Sequence, residues 1–303
     1  MNKIKPTYLT LRRIMRSLPY LFIGLMLFSG MFSACNIVNP AESIPTYIQI
    51  DSVTLQSVVP EKHGSVSHKI SDVWVYYNLQ LLGAFELPAK VPVIANGKGQ
   101  LQILAGIWDN GLSGTRVKYP FYTVDTFSFT AQPGKSIAYT PTFRYRTADQ
   151  PIIKYFVENF EQGNSFMPLA GDTSLVRTNN VNEVFEGTWS GKMYMRDTDA
   201  TAQCITSQAF SIPPSKEAYL ELNYKNDVPF DVRMEVFWNG STIRSDIISL
   251  RERITWNKAY LRLGGFASTY QNGQFKFYIR SSLPAGRTDG TILIDNFKVI
   301  YFE

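Results

Sequence analysis

The strongest constraint on this chain is a two-residue repeat of apolar side chains through its second half. Leu220, Leu222 and Tyr224 alternate with Tyr219, Glu221 and Asn223, and Val232, Met234, Val236 and Trp238 alternate with Asp231, Arg233, Glu235 and Phe237. Phe275, Phe277 and Ile279 alternate in the same way with Lys276, Tyr278 and Arg280. Successive side chains of a strand point to opposite faces, so each run predicts a strand with one face in a core. Asn239-Gly240 closes the second run with a hairpin signal. No stretch longer than about ten residues beyond the leader carries a convincing helical period. The pattern predicts an all-β fold.

The first half reads the same way in shorter pieces. Residues 47–55 alternate with Ile48, Ile50, Val53 and Leu55 as core candidates, and the polar residues 61–68 form a solvated loop. Residues 71–88 read as strand, turn, strand, with the turn centred on 78–80. Pro88, Pro92 and Asn96-Gly-Lys-Gly99 punctuate the next segments, and 100–106, 121–131 and 137–145 supply further strands. Thr147-Ala-Asp-Gln-Pro151 is the expected linker. Two β-sandwich domains are expected, 47–146 and 152–303. With 14% aromatic and 18% charged residues the chain has the means to build their cores.

The N-terminus supplies an address. Lys3, Lys5, Arg12, Arg13 and Arg16 precede an apolar run from Leu18 to Phe32, and Ser33 and Ala34 stand before Cys35. A basic region, a short apolar region and small residues make a secretory signal, and the run is shorter than the roughly 20 residues that span a bilayer. Phe-Ser-Ala-Cys35 resembles the lipobox of bacterial lipoproteins, which implies a lipidated Cys35 at the start of the mature chain and a bilayer as its first partner. Residues 1–34 are then a signal peptide and 35–46 a tether. The tether has Glu42 as its sole acid, unlike the acidic export tethers of Bacteroidetes surface lipoproteins. That resemblance implies an outer-membrane anchor facing the periplasm, with the cell surface as the alternative.

The leader also carries the whole excess of positive charge. The chain has 30 Lys+Arg against 25 Asp+Glu, and the leader's five bases meet no acid, leaving 25 of each. A balanced mature chain gives no support for nucleic-acid binding.

Two stretches resemble known modules. Residues 74–106, with Asn-Leu-Gln-Leu-Leu-Gly83, Glu-Leu-Pro88 and Gly-Lys-Gly99, resemble PEGA-type immunoglobulin-like modules of bacterial envelope proteins, which carry no catalytic residues. Leu79 stands where that family has Gly, which disfavours a two-residue type I′ turn. Glu-Asn-Phe-Glu161, Glu-Gly-Thr-Trp-Ser-Gly191, Ala-Tyr-Leu-Glu-Leu-Asn-Tyr224, Thr-Trp-Asn-Lys-Ala-Tyr-Leu-Arg-Leu263 and Ile-Leu-Ile-Asp-Asn-Phe-Lys-Val299 resemble the jelly-roll sandwich of carbohydrate-binding modules. That likeness implies a jelly roll over 152–303 and says little about sugar.

Catalytic chemistry is hard to place. His63 and His68 are the only histidines, both in the expected loop, and Cys204 reads as a buried structural thiol. Gly187-Thr-Trp-Ser-Gly-Lys192 lacks phosphate-loop spacing, and Asp197-Thr-Asp199 lacks the Gly and Glu of an EF-hand loop. Nothing sets the separation that a glycosidase carboxylate pair needs. Glu158, Glu161 and Asp295 sit where jelly-roll modules often place ligands for a structural Ca²⁺, the one candidate cofactor. Trp189, Phe237, Trp256 and Tyr278, together with Tyr260, are candidates for a sugar platform, a protein interface or plain packing. The sequence therefore points to a non-enzymatic, lipid-anchored envelope protein that binds or scaffolds a protein partner. A glycan-binding lipoprotein is the alternative, and a glycan hydrolase the third class.

Overall fold

The computed structural model describes residues 42–147, 152–169 and 173–303. The leader, Cys35, most of the tether and 148–151 of the expected linker lie outside the described residues. Among the described residues ten strands precede the linker. They are β1 (Thr46–Ile50), β2 (Thr54–Gln56), β3 (Asp72–Tyr77), β4 (Gln80–Glu86), β5 (Ala89–Val93) and β6 (Lys98–Trp108), then β7 (Arg116–Lys118), β8 (Asp125–Thr130), β9 (Ser136–Ala138) and β10 (Thr142–Arg144). One sheet runs β4-β3-β6-β7, with β8 on the other half of the long β6. Facing it are the sheet β5-β1-β9 and the pair β10-β2. Ile48, Ile50, Val53 and Leu55 are all buried in the core between them, as their alternation requires.

The second half contains β11 (Ile153–Glu158), β12 (Phe166–Pro168), β13 (Val176–Thr178), β14 (Ser190–Arg196), β15 (Thr201–Thr206) and β16 (Phe210–Ser211). After them come β17 (Ala218–Asn226), β18 (Phe230–Trp238), β19 (Ser241–Leu250), β20 (Arg253–Arg262), β21 (Gln274–Ser282) and β22 (Asp289–Phe302). Two sheets of order β14-β22-β17-β20 and β15-β21-β18-β19 face each other. Chain-ordered strands thus trade places between two four-stranded layers, which is jelly-roll topology. The shorter strands add to the edges, with β11 and β14 sharing one side of β22. The inward residues of the three alternating runs fill one core, which Cys204 of β15 joins at 0% exposure. Burial pushes the Cys204 thiol up to about 12, so it is an inert core thiol.

The last strand is irregular at one point. Glu221 pairs with Lys298, but Asn223 pairs with Asp295, so β22 carries an extra residue at Asn296, whose φ is 49°. A bulge reverses the inside–outside phase of a strand. Ile292 and Ile294 point into the core before it and Phe297 and Val299 after it, which turns Lys298 and Ile300 to the outer face.

Two local expectations are corrected. Residues 78 and 79 do form a two-residue turn, with φ of 50° and 65°, although Leu79 is a poor residue for the left-handed region. Its side chain stands out in solvent, where crowding adds nothing to the backbone cost. The second correction concerns 61–68. Pro60–His63 is a helical turn, α1, and His63 is 1% exposed, packed between Tyr145 and Tyr155. Burial, with Lys298 next, lowers its pKa, which keeps the imidazole neutral.

The glycines of the rejected phosphate loop have packing roles. Gly187 adopts φ +69°, and Gly191 in β14 lies so close to Phe160 that a Cβ would stand 2.6 Å from the ring and 3.1 Å from Leu175. Gly191→Ala should destabilise the second sandwich by about 1–3 kcal/mol through overpacking. Urea unfolding measures it, and an unchanged midpoint would contradict this packing.

Candidate functional site

Residues Thr46–Glu303 form one compact unit, because the outer face of β17, β20 and β22 is itself buried. Tyr219, Tyr260, Ile300 and Phe302 from that face join the core of the first sandwich. The polar residues between them meet partners there instead of water. Glu221, at 0% exposure, accepts from the Tyr119 hydroxyl at 2.5 Å and the Tyr145 hydroxyl at 2.8 Å, both in the first sandwich. On its own sheet Lys258 lies 2.8 Å from the same carboxylate and Lys298 3.6 Å. Lys298 also sits 3.8 Å over the Tyr145 ring, a cation–π contact. Tyr122 and Tyr260 join their hydroxyls across the seam at 3.0 Å.

Burial alone would raise the Glu221 pKa, but the ammonium groups of Lys258 and Lys298 outweigh it and hold the carboxyl down at about 2. Burial pushes the Lys298 ammonium down to about 7, against the pull of Glu221. The network has no exposed nucleophile or acid. Its chemistry is that of a clamp.

A strap threads the seam from the segment after α1. Ser65 Oγ donates to Glu186 at 2.8 Å, and Ser67 accepts from Asn223 Nδ2 at its hydroxyl and from Lys258 Nζ at its carbonyl, each at 2.9 Å. The Lys69 amide donates to Tyr260 Oη at 3.2 Å, and its ammonium donates to Asn257 Oδ1 at 2.5 Å. Where the strap ends, the two sandwiches leave a cavity of about 300 Å³. Trp108, at the end of β6, forms one wall with the Asn110-Gly111 turn, and Tyr224, Tyr260 and the β19–β20 connection form the other. The Asn110 side chain accepts from the Arg262 amide at 2.8 Å, pinning that turn to the edge strand β20. Lys69, Arg251, Arg253 and Asn257 line the cavity, and no carboxylate does. The Lys69 ammonium stands 5.1 Å over the Trp108 ring.

The residues expected to form a sugar platform are not gathered on one surface. Trp189 immediately precedes β14 and Trp256 lies in β20 of the same sheet, whereas Phe237 and Tyr278 belong to the facing sheet. The Arg177 guanidinium covers Trp189 at 4.2 Å, Trp256 packs on Phe185 at 5.1 Å, and Tyr278 is 1% exposed beneath Arg233. Phe237 is open to solvent, at 56% exposure. Trp108 is the cavity-lining tryptophan that alternation does not single out; its signal is an indole at the end of a strand beside Asn-Gly.

The acids proposed for Ca²⁺ are engaged by the backbone. Glu158 accepts from the Phe160 and Ser165 amides, each at 2.6 Å, and Glu161 from those of Thr188 and Trp189 at 2.8 and 2.9 Å. Both line one open hollow together with Glu61, which Asp295 does not reach. Asp295 is fully buried, bonded to Ser190 Oγ and the Asn296 amide, and burial raises its pKa to about 7. Among the described residues no group of three or more His, Cys, Asp or Glu is placed to hold a metal ion.

Removing the Glu221 charge leaves the Lys258 ammonium buried without its counter-charge and Lys298 without the group that favours its protonation, so Glu221→Gln should cost about 3–5 kcal/mol in urea unfolding. A carboxyl held below its ordinary 4.5 contributes stability that is complete above that value and lost as pH falls toward 2. The wild type should therefore lose stability between about pH 4.5 and 2 with a slope that Glu221→Gln partly removes. Parallel pH profiles for the two proteins would contradict the clamp.

No protein-family model matches this chain, and no curated protein is significantly similar to it. Among solved structures it is similar to carbohydrate-binding modules. One comes from work on the promiscuous specificity of such modules from the β-sandwich superfamily, at 12% identity and a TM-score of 0.38, covering 77% of this chain and 84% of that one. Another is a module in complex with β-1,4-galactotriose, at 12% identity and 0.29, covering 49% and 88%. A third is the C-terminal family 22 module of a Clostridium thermocellum protein, at 11% identity and 0.32, covering 48% and 91%.

Proposed function

We propose that this chain is a non-enzymatic, lipid-anchored protein of the cell envelope that binds a glycan in the seam cavity. The cavity carries the reading. A sugar ring offers C–H groups to an aromatic face and hydroxyls to donors and acceptors around its rim. Trp108 supplies the face, and Lys69, Asn257 and Ser249 supply the rim, in a space of about 300 Å³. The walls come from two sandwiches clamped together, so the site is built before a ligand arrives, which lowers the cost of binding. The mature protein in detergent should bind members of a glycan array, and Trp108→Ala should weaken that binding about tenfold or more while Phe237→Ala leaves it unchanged. Binding to no glycan, or binding indifferent to Trp108, would sink the proposal.

The anchor rests on the leader: five bases, an apolar run and Phe-Ser-Ala before Cys35. Metabolic labelling with a radioactive fatty acid should mark the wild type and not Cys35→Ser, and the variant should leave the membrane fraction. Label retained on Cys35→Ser would count against it.

A protein-scaffolding role has one observation in its favour. Leu79, Leu81 and Leu82 stand 81%, 44% and 36% exposed on the β3–β4 hairpin at an open sheet edge. Photocrosslinking from position 79 in cells that traps no envelope protein would remove this second reading.

A further inference from the structure

We infer that the glycan taken by the seam cavity is acidic, carrying carboxylate or sulfate groups that meet Lys69, Arg251 and Arg253. The inference rests on the glycan reading and adds to it the charge of the ligand. Four cations line the cavity and no acid does. Lys258 is matched by Glu221 behind the wall. The other three have no ion-pair partner among the described residues, and Glu252, between the two arginines, does not line the cavity.

What sets these three apart is that they share one concave space, whereas several cations on the outer sheets meet an acid. Arg116 meets Glu86, Lys192 meets Glu183, Arg244 meets Glu235, and Arg262 meets Glu217. With 25 bases and 25 acids beyond the leader, the mature chain has no net field to explain a local excess. Three unmatched cations around one concave space repel one another. Lys69 feels it: burial first, and then Arg253, lowers its pKa. An anion in the cavity relieves that repulsion, and low-dielectric walls strengthen the attraction relative to open surface. The indole wall fixes the class further. A small inorganic anion would leave Trp108 unused, whereas an acidic sugar places its ring on the indole and its charge among the cations.

The test uses the full-length protein in detergent, an array of neutral and acidic glycans, and affinity electrophoresis in polygalacturonate, its methyl ester and chondroitin sulfate. The bound glycans should be acidic, and binding should weaken steeply with salt. Polygalacturonate or chondroitin sulfate should retard the protein, and the methyl ester should not; retardation by polygalacturonate assigns the carboxylate, and retardation by chondroitin sulfate alone, which carries uronate carboxylates as well, assigns the sulfate. Arg251→Gln with Arg253→Gln, both exposed, should weaken binding about tenfold per charge removed. Lys135→Gln with Lys216→Gln, which removes the same charge away from the cavity, should change nothing. Equal retardation by the ester, or equal loss in the two double variants, overturns the inference. Binding of neutral glycans alone that depends on Trp108 also overturns it, while the glycan reading stands. No binding at all removes both.

Discussion

The Glu221 carboxylate is the interaction on which the rest of the arrangement depends. It sits on the outer face of a strand in the second sandwich, at 0% exposure, and half of its acceptor capacity is used by tyrosines of the first. A buried ion pair contributes little net stability compared with apolar packing, yet breaking it costs several kcal/mol. That asymmetry makes it a device for specificity. Any shift of one sandwich against the other would separate Glu221 from Tyr119 and Tyr145 while the charges stayed desolvated. Lys298 adds its own constraint, because its ammonium is covered by the Tyr145 ring and reaches the carboxylate from only one side. The bulge at Asn296 is what turns Lys298 to that face. A single extra residue in β22 thus supplies part of the clamp.

The strands are legible in the sequence because their inward residues alternate. Their outer faces are not. Tyr219, Glu221 and Asn223 have the look of a solvated face, since alternation distinguishes core from polar surroundings and cannot distinguish water from a polar partner. β17 is buried on both sides, which ordinarily produces a continuous apolar run. Here one side is satisfied by hydrogen bonds and charges, and the apolar signal is absent. The same ambiguity hides the strap. Residues 61–69 are polar because Ser65, Ser67 and Lys69 bond to Glu186, Asn223, Lys258 and Asn257, more than a hundred residues further along the chain. Local sequence carries no mark of such distant partners. The bulge does leave one: the apolar spacing in β22 runs Ile292, Ile294, Phe297, Val299, with a step of three where the phase changes.

The aromatics show the same limit from the other side. Alternation puts Phe237 and Tyr278 on outer faces alike, yet one is 56% exposed and the other 1%. The difference is Arg233, whose guanidinium lies over the Tyr278 ring and is held there by Asp246. Long cationic side chains cover aromatic surface on a sheet exterior, so an outward aromatic is not thereby an open one. Arg177 does the same to Trp189. Trp108 differs because its cation, Lys69, stands over a ring that also walls the seam cavity.

The cavity inherits its shape from the clamp. Trp108 and Lys69 belong to the first sandwich and its strap, Asn257, Arg251 and Arg253 to the second, and none of them could face the others if the seam opened. A ligand touching both walls has no comparable site in the opened state, so its binding stabilises the docking of the sandwiches by an amount that grows with the logarithm of its concentration above Kd. The coupling is reciprocal: a change in the Glu221 network weakens the ligand to the extent that it populates the opened state. The tyrosine–carboxylate–lysine cluster takes no part in contacting a ligand, yet it sets the distance between the indole on one side and the cations on the other. The candidate site is accordingly a property of the seam, and neither sandwich holds all of its walls by itself.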